Sequence, residues 1–303
     1  MKNKTQEHNV QHQNKFYYKT AMFLSFAGPS VFLFAAVVLA PFIFGIYLTF
    51  TDWNGISSTM SFSGKANYVA LFRDTAFWIS MGKTIFYTFF SVLLANAVAF
   101  FLAYLVTSHV IGKNFFRAVF FTPNLIGGIV LGYIWKFVFN KAVLTIGKMT
   151  GIPLFSSAWL SDPDKALWAL ILVSVWQLSG FLMLIYIAGL TGIPEDLKSA
   201  ALIDGCNSWQ SMKNVTIPLM AGTFTICFFL SITRCFVTYD LNLSLTAGQP
   251  YNSTKLAAMY VYNMAFESKN YGLGQAEALI LFLFVSIVAV TQVLLGKQKE
   301  VEA

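Results

Sequence analysis

The chain has 303 residues, 57% of them hydrophobic and only 11% charged, with 31 phenylalanines, a net charge of +7 and a mean hydropathy of +0.64. Soluble domains carry about 25% charged residues, so this chain lacks the polar surface to face water on all sides, and lipid is the implied solvent. The basic residues flank apolar runs instead of clustering, which argues against a nucleic-acid partner and for membrane orientation.

Residues 1–20 are polar and basic and read as a tail, with His8 and His12 solvated in it. The apolar run that follows is long enough to span a bilayer and reads as an anchor rather than a cleaved signal peptide. Six stretches qualify as membrane spans, at 21–50, 84–107, 118–139, 167–190, 217–236 and 276–295. The first carries Pro29 and Pro41, which predict a kink or tilt. No internal repeat is present, so residues 21–297 read as one membrane domain and 298–303 as a second tail.

Six spans put both termini on one side. Lys2, Lys4, Lys15, Lys19, Lys113, Arg117, Lys297 and Lys299 fall on that side, which the positive-inside rule makes cytoplasmic. Trp53, Trp78, Trp135, Trp159 and Trp168 lie near span ends, where an interfacial aromatic belt would place them.

The loop at 191–219 is a polar, helical interruption between two apolar spans. Pro194, Glu195 and Asp196 suit a helix start, and Leu197, Ala200, Ala201 and Ile203 then recur near helical spacing. Asp204-Gly205 predicts the stop, and a second short helix at 208–215 leads to Pro218. A helix lying on lipid favours Lys and Arg on its polar face. This one carries Glu195, Asp196 and Asp204 against Lys198 and Lys213, which suits a protein groove better.

Polar residues inside spans mark a candidate solute path. The fifth span carries Cys227, Ser231, Arg234, Cys235 and Thr238 on one stripe, with Tyr239 and Asp240 at its mouth. The fourth carries Ser174, Trp176, Gln177 and Gly180, and Gln177 and Gly180 share a face that would admit a sugar ring. Asp240 or Glu267 is the expected partner of Arg234. The competing reading makes Arg234 a snorkelling side chain and the small residues helix–helix contacts.

Several chemistries have no support. Cys206, Cys227 and Cys235 form no C-x-x-C or Cys/His cluster, so no disulfide framework or metal site is expected. Gly82-Lys83-Thr84 imitates the end of a phosphate-binding loop, but Phe77 stands where its first glycine belongs. The chain is therefore expected to have no ATPase site of its own. No acidic or histidine relay is read in the spans, which disfavours an ion-coupled secondary transporter, and no acid/base cluster supports a membrane enzyme.

The run from Glu195 to Gly205 (EDLKSAALIDG), with Trp209 and Ile217-Pro218-Leu219 after it, resembles the EAA loop of ABC-importer permeases. The likeness is strongest to binding-protein-dependent sugar permeases of the maltose-transporter type. It extends to Asn67-Tyr68, Leu71-Phe72-Arg73-Asp74 and Phe77-Trp78, to Phe116-Arg117, Phe121-Thr122-Pro123 and Gly132-Tyr133-Ile134-Trp135, to Thr246-Ala247-Gly248-Gln249-Pro250 with Ser253-Thr254, and to Tyr271-Gly272-Leu273-Gly274-Gln275-Ala276. The resemblance implies an all-α membrane protein with the six-transmembrane-helix type I ABC importer permease fold. It makes 191–219 a coupling loop seated in a cytoplasmic ATPase, through Glu195, Leu197, Ser199, Ala200, Ala201, Ile203, Asp204 and Gly205. Ser199 stands where the family motif has glutamate, leaving Glu195 or Asp196 to supply that charge. It further implies a plasma or inner-membrane location, a second homologous permease, two ATPases that use the ATP, and an extracytoplasmic solute-binding protein. No cofactor is expected on this chain, and an oligosaccharide is the expected solute, with a non-sugar solute as the alternative.

Overall fold

The computed structural model describes residues 22–23, 25–108, 112–155 and 157–298. The expected tail at 1–20, with His8 and His12, lies outside the described residues, as do His109 and the chain beyond Gln298. Among the described residues the secondary structure is helical, apart from one isolated bridge between Thr51 and Phe62.

Helix α1 (Gly28–Leu48) has an apolar surface almost wholly exposed within this chain. Its middle turn, Ala35–Leu39, widens to π geometry just before Pro41. A proline has no N–H to donate and crowds the carbonyl four residues back, so the turn opens. The short helix α2 (Ala66–Arg73) precedes α3 (Thr75–Thr107), whose first turn is capped by the Asp74 carboxylate accepting from the backbone of Ala76 and Phe77. That cap starts α3 well before the expected residue 84. At about 1.5 Å per residue its 33 residues exceed a bilayer core of about 30 Å, so one end projects beyond the lipid.

The expected third span at 118–139 is two helices, α4 (Lys113–Leu125) and α5 (Gly128–Thr150). Pro123 lies in the last turn of α4, Ile126 is extended, and α5 restarts after Gly127. Helix α6 (Pro163–Thr191) begins with the Asp162 side chain accepting from Asp164 N–H and is the most enclosed of the long helices. The loop at 191–219 folds as α7 (Glu195–Ile203) and α8 (Ser208–Leu219). Helix α9 (Ala221–Phe236) leaves α8 at a bend of 68°. The expected fifth span is thus the straight limb of a bent pair, and five helices plus this pair account for the six crossings. Outside α9 lie α10 (Asp240–Leu245) and α11 (Ala257–Tyr262, extended by a wide turn Asn263–Glu267), followed by α12 (Tyr271–Lys297).

The main core forms where α3, α6 and α9 meet, and buried polar groups tie them together. Asn96 donates to Ser231 Oγ at 3.0 Å and to the Val92 carbonyl at 2.8 Å, and accepts from Tyr186 OH at 2.7 Å. Tyr87 and Ser174 share a hydroxyl–hydroxyl bond at 2.5 Å. A smaller core of Leu71, Phe77, Met81, Ala257, Leu273, Ala276 and Leu281 joins α2, α3, α11 and α12.

Two expectations change here. Trp159 is buried, stacked between Phe139 and Phe155, so it belongs to the core and not to an interfacial belt. One acid also lies in a span: Glu277 of α12 is fully buried, and neither carboxyl oxygen has a hydrogen-bond partner among the described residues. A single carboxyl is not a relay, but the spans are not free of acids.

Helices α4 and α6 approach most closely at Gly180, where an added Cβ would lie 1.8 Å from the Phe120 carbonyl oxygen. Gly82 has no atom within 4 Å of the same position. Gly180→Ala is expected to destabilise the fold by about 1–3 kcal/mol, whereas Gly82→Ala is neutral or stabilising, since glycine weakens a helix by about 0.5–1 kcal/mol. Thermal unfolding of the detergent-solubilised variants checks the order, and equal stabilities would refute the close contact.

Candidate functional site

A cavity of about 270 Å³ opens where α6, α9, α10 and the start of α5 meet, lined by Gly128, Gln177, Arg234, Thr238, Tyr239 and Asp240 among others. The break between α4 and α5 supplies the partners that hold its two strongest donors. The helix stops at Leu125, which frees the Ile126 carbonyl to accept from Gln177 Nε2 at 3.1 Å. One residue before that stop, Asn124 Oδ1 accepts from Arg234 Nη1 at 2.9 Å. The guanidinium also sits 6.0 Å from the Phe181 ring centroid, at the outer limit of a cation–π contact. Arg234 has five N–H donors and this bond uses one.

Arg234 is therefore not paired with Asp240 or Glu267. Among the described residues the one ion pair is Lys165–Asp162, at 3.5 Å. Helix α10 places Asp240 across the cavity because Gly128 and Gly132 let it lie against α5. An added Cβ at Gly132 would meet Ser244 Oγ at 1.9 Å. Tyr239 stays a neutral hydroxyl donor: burial first, then Tyr262 and the carboxylates of Glu267 and Asp240, push its pKa up to about 12. Guanidinium, hydroxyls and one carboxylate over a partly apolar wall suit a solute with many hydroxyl groups. No group of three His, Cys, Asp or Glu able to hold a metal is found among the described residues.

Of the residues expected on the path, Gln177, Arg234, Tyr239 and Asp240 line this cavity. The others do not. Ser231 is fully buried against Asn96, and Gly180 is the contact with α4. Trp176 is not among the lining residues and meets Trp135 edge-on at 5.4 Å. Cys227 and Cys235 are likewise buried, so the inner part of that polar stripe is helix packing. Asn124 was not expected at the site. Its sequence signal was a proline–asparagine pair inside an apolar run, which marks a helix end.

At the other end of the bent pair, Pro194 is the N-cap of α7, with Glu195 and Asp196 in the first turn. Gly205, at φ +83°, takes the left-handed position that ends it, and Cys206 N–H bonds back to the Ala201 carbonyl at 3.0 Å. Asn207 and Gln210 then form a reciprocal capping box that starts α8. Ala201 is the residue of α7 buried in this chain; Leu197, Ser199, Ala200 and Asp204 are exposed. Ile203 is 86% exposed, beside Leu202 at 61% and Trp209 at 71%. Exposed apolar residues of this kind suit a surface covered by a membrane or by another protein.

The residues at 95–300 match the family of binding-protein-dependent transport system inner membrane components. The chain is 41% identical over 288 residues to the probable starch degradation products transport system permease protein AmyD of Thermoanaerobacterium thermosulfurigenes, covering 95% of this chain and 98% of that one. It is 33% identical to the multiple sugar-binding transport system permease protein MsmF of Streptococcus mutans, over 86% of this chain and 90% of that one. The fold matches a chain of a bacterial ABC transporter involved in the import of the acidic polysaccharide alginate, with a TM-score of 0.78 at 18% identity, across 96% of this chain and 99% of that one. The chain belongs to the family of binding-protein-dependent transport system inner membrane components. It is a multi-pass membrane permease with the ABC importer fold.

Arg234→Ala and Gln177→Ala are each expected to cut transport about tenfold, the effect of losing one hydrogen bond of about 1–1.5 kcal/mol. Both variants still insert and assemble. Normal transport rates in both would remove these residues from the solute path.

Proposed function

We propose that this permease imports sugars of several linked units through the cavity at Gln177, Arg234 and Asp240. In this reading it forms the pathway with a second, homologous permease. Two cytoplasmic ATPases supply the energy, and an extracytoplasmic solute-binding protein delivers the sugar. The observation that carries the reading is the bent pair α8–α9, with an exposed apolar helix–turn at one end and the polar cavity at the other. A movement imposed on α7 reaches Arg234 through the bent pair α8–α9. The printed names of AmyD and MsmF support sugar as the solute class, as does that of the trehalose/maltose transport system permease protein MalF of Thermococcus litoralis, 27% identical over 237 residues.

The ATPases face α7 from the cytoplasm, which puts both termini on that side. Ile203 and Leu202 fill an apolar cleft, Ala200 lets the partner approach, and Glu195 supplies the negative charge that Ser199 lacks. ATP is bound and hydrolysed by those partners, and this chain holds no cofactor. ATP binding draws the two coupling helices together and turns the cavity outward; hydrolysis resets it.

Two experiments test the proposal. In proteoliposomes holding the full complex, ATP-driven uptake of maltose-series sugars is expected, and uptake of another solute class with no sugar uptake would overturn it. Ile203→Asp is expected to lower co-purification of the ATPases at least about tenfold, the scale of an interface hot spot, while Ser199→Glu leaves it unchanged or raises it. ATPase recovery unaffected by Ile203→Asp would rule out α7 as the joint.

A further inference from the structure

Five aromatic rings form an unbroken series that starts in the cavity wall and leads away from it. Tyr239 lines the cavity and lies 4.7 Å from Tyr262, which lies 4.7 Å from Phe266. Phe266 meets Tyr271 at 5.3 Å, and Tyr271 meets Trp53 at 5.3 Å. The rings come from four separate segments: the end of α9, the α11 region, the start of α12 and the loop after α1. Such a series does not arise from one amphipathic helix. Its middle members are open, Tyr262 at 40% and Phe266 at 53% exposed, in a region where core aromatics such as Phe77 and Tyr87 are fully covered.

The backbone beneath the series is held firmly. Gly272 N–H donates to the Trp53 carbonyl at 3.3 Å, and Asn67 Nδ2 donates to the Thr49 and Thr51 carbonyls at 2.9 and 2.7 Å. Gly272 packs so closely that a Cβ would lie 2.0 Å from the Thr51 carbonyl oxygen. Rings on a fixed base lose little entropy on binding. Three of the five carry a hydroxyl, so the surface alternates apolar faces with hydrogen-bonding edges. That is the chemistry of a pyranose, which has apolar faces and a hydroxyl rim.

We propose that the open surfaces of Phe266 and Tyr262 in this series are an external subsite for a linear oligosaccharide, whose trailing units rest there when its leading unit enters at Tyr239. The inference rests on the sugar reading above and adds where a long substrate lies. At these spacings neighbouring rings lie against one another, and the open surfaces of Phe266 and Tyr262 are what the series offers to a chain of linked sugars. Short sugars enter the cavity without the series; long ones depend on it.

The test uses the full complex in proteoliposomes, with maltose and maltoheptaose as probes and Tyr262→Ala, Phe266→Ala and the aromatic-preserving Tyr262→Phe and Phe266→Tyr as variants. Each alanine variant is expected to slow maltoheptaose uptake about three- to tenfold, with maltose uptake within about twofold of the parent and the conservative variants near normal. Equal loss for both sugars, together with lost stimulation of ATP hydrolysis by the solute-binding protein, would make the rings a protein-docking face and overturn the proposal. Unchanged uptake of maltoheptaose would overturn it too. A parent complex that imports neither sugar overturns the sugar reading itself, and this subsite with it.

Discussion

One asparagine in an apolar bundle sets the arrangement of the helices around it. In lipid an unpaired amide costs several kcal/mol, and Asn96 is satisfied by the Val92 carbonyl of its own helix together with Ser231 and Tyr186 of two neighbours. Helices α3, α6 and α9 are thereby fixed in one relative register. Tyr87 repeats the device further along α3, bonding Ser174 of α6 and reaching Thr238 just beyond α9 at 3.4 Å. Such bonds contribute about 0.6 kcal/mol each within membranes, so their value lies in selecting one alignment rather than in total stability. With that alignment chosen, Gln177 and Arg234 face the same space.

The break in the third crossing is the second requirement. Backbone that is not helical survives at membrane depth only where protein or a cavity satisfies it. Here the satisfaction runs both ways: Ile126 offers a carbonyl that Gln177 fills, and Asn124 offers an amide oxygen that Arg234 fills. A continuous helix through 118–139 would have used the carbonyl internally and left Gln177 without that partner. The interruption is therefore part of the site's construction.

Much of the fold was legible because it depends on local patterns. Apolar runs of sufficient length located the spans, and Pro194, Gly205 and the acids of the first turn located α7 within a residue or two. Composition hid the break at Ile126, since the residues on both sides are apolar and only Pro123 and two glycines mark it. The site was half legible. Polarity and helical phase selected Gln177 and Arg234, which line the cavity, together with Ser231 and Gly180, which pack against neighbouring helices. A polar or small residue on a helix face serves a neighbouring helix as readily as a cavity. The partner of Arg234 lies 110 residues away, and the ring series gathers residues from 53 to 271; no local period connects them. Acids near in sequence drew attention from Asn124, which is near only in space.

The bend at Met220 has a mechanical meaning beyond joining two helices. Met220 is fully buried at the bend, with α8 as the shorter arm on one side and α9 as the longer one on the other, so a swing of α9 would pivot there. From Ala221 to Arg234 the helix rises about 20 Å, so a tilt of about 5° carries the guanidinium through about 2 Å. The Arg234–Asn124 bond is 2.9 Å long, and a guanidinium carried through that distance with its helix would pass beyond hydrogen-bonding range. That bond therefore registers the tilt of α9 against α4, and in the arrangement described here it is closed.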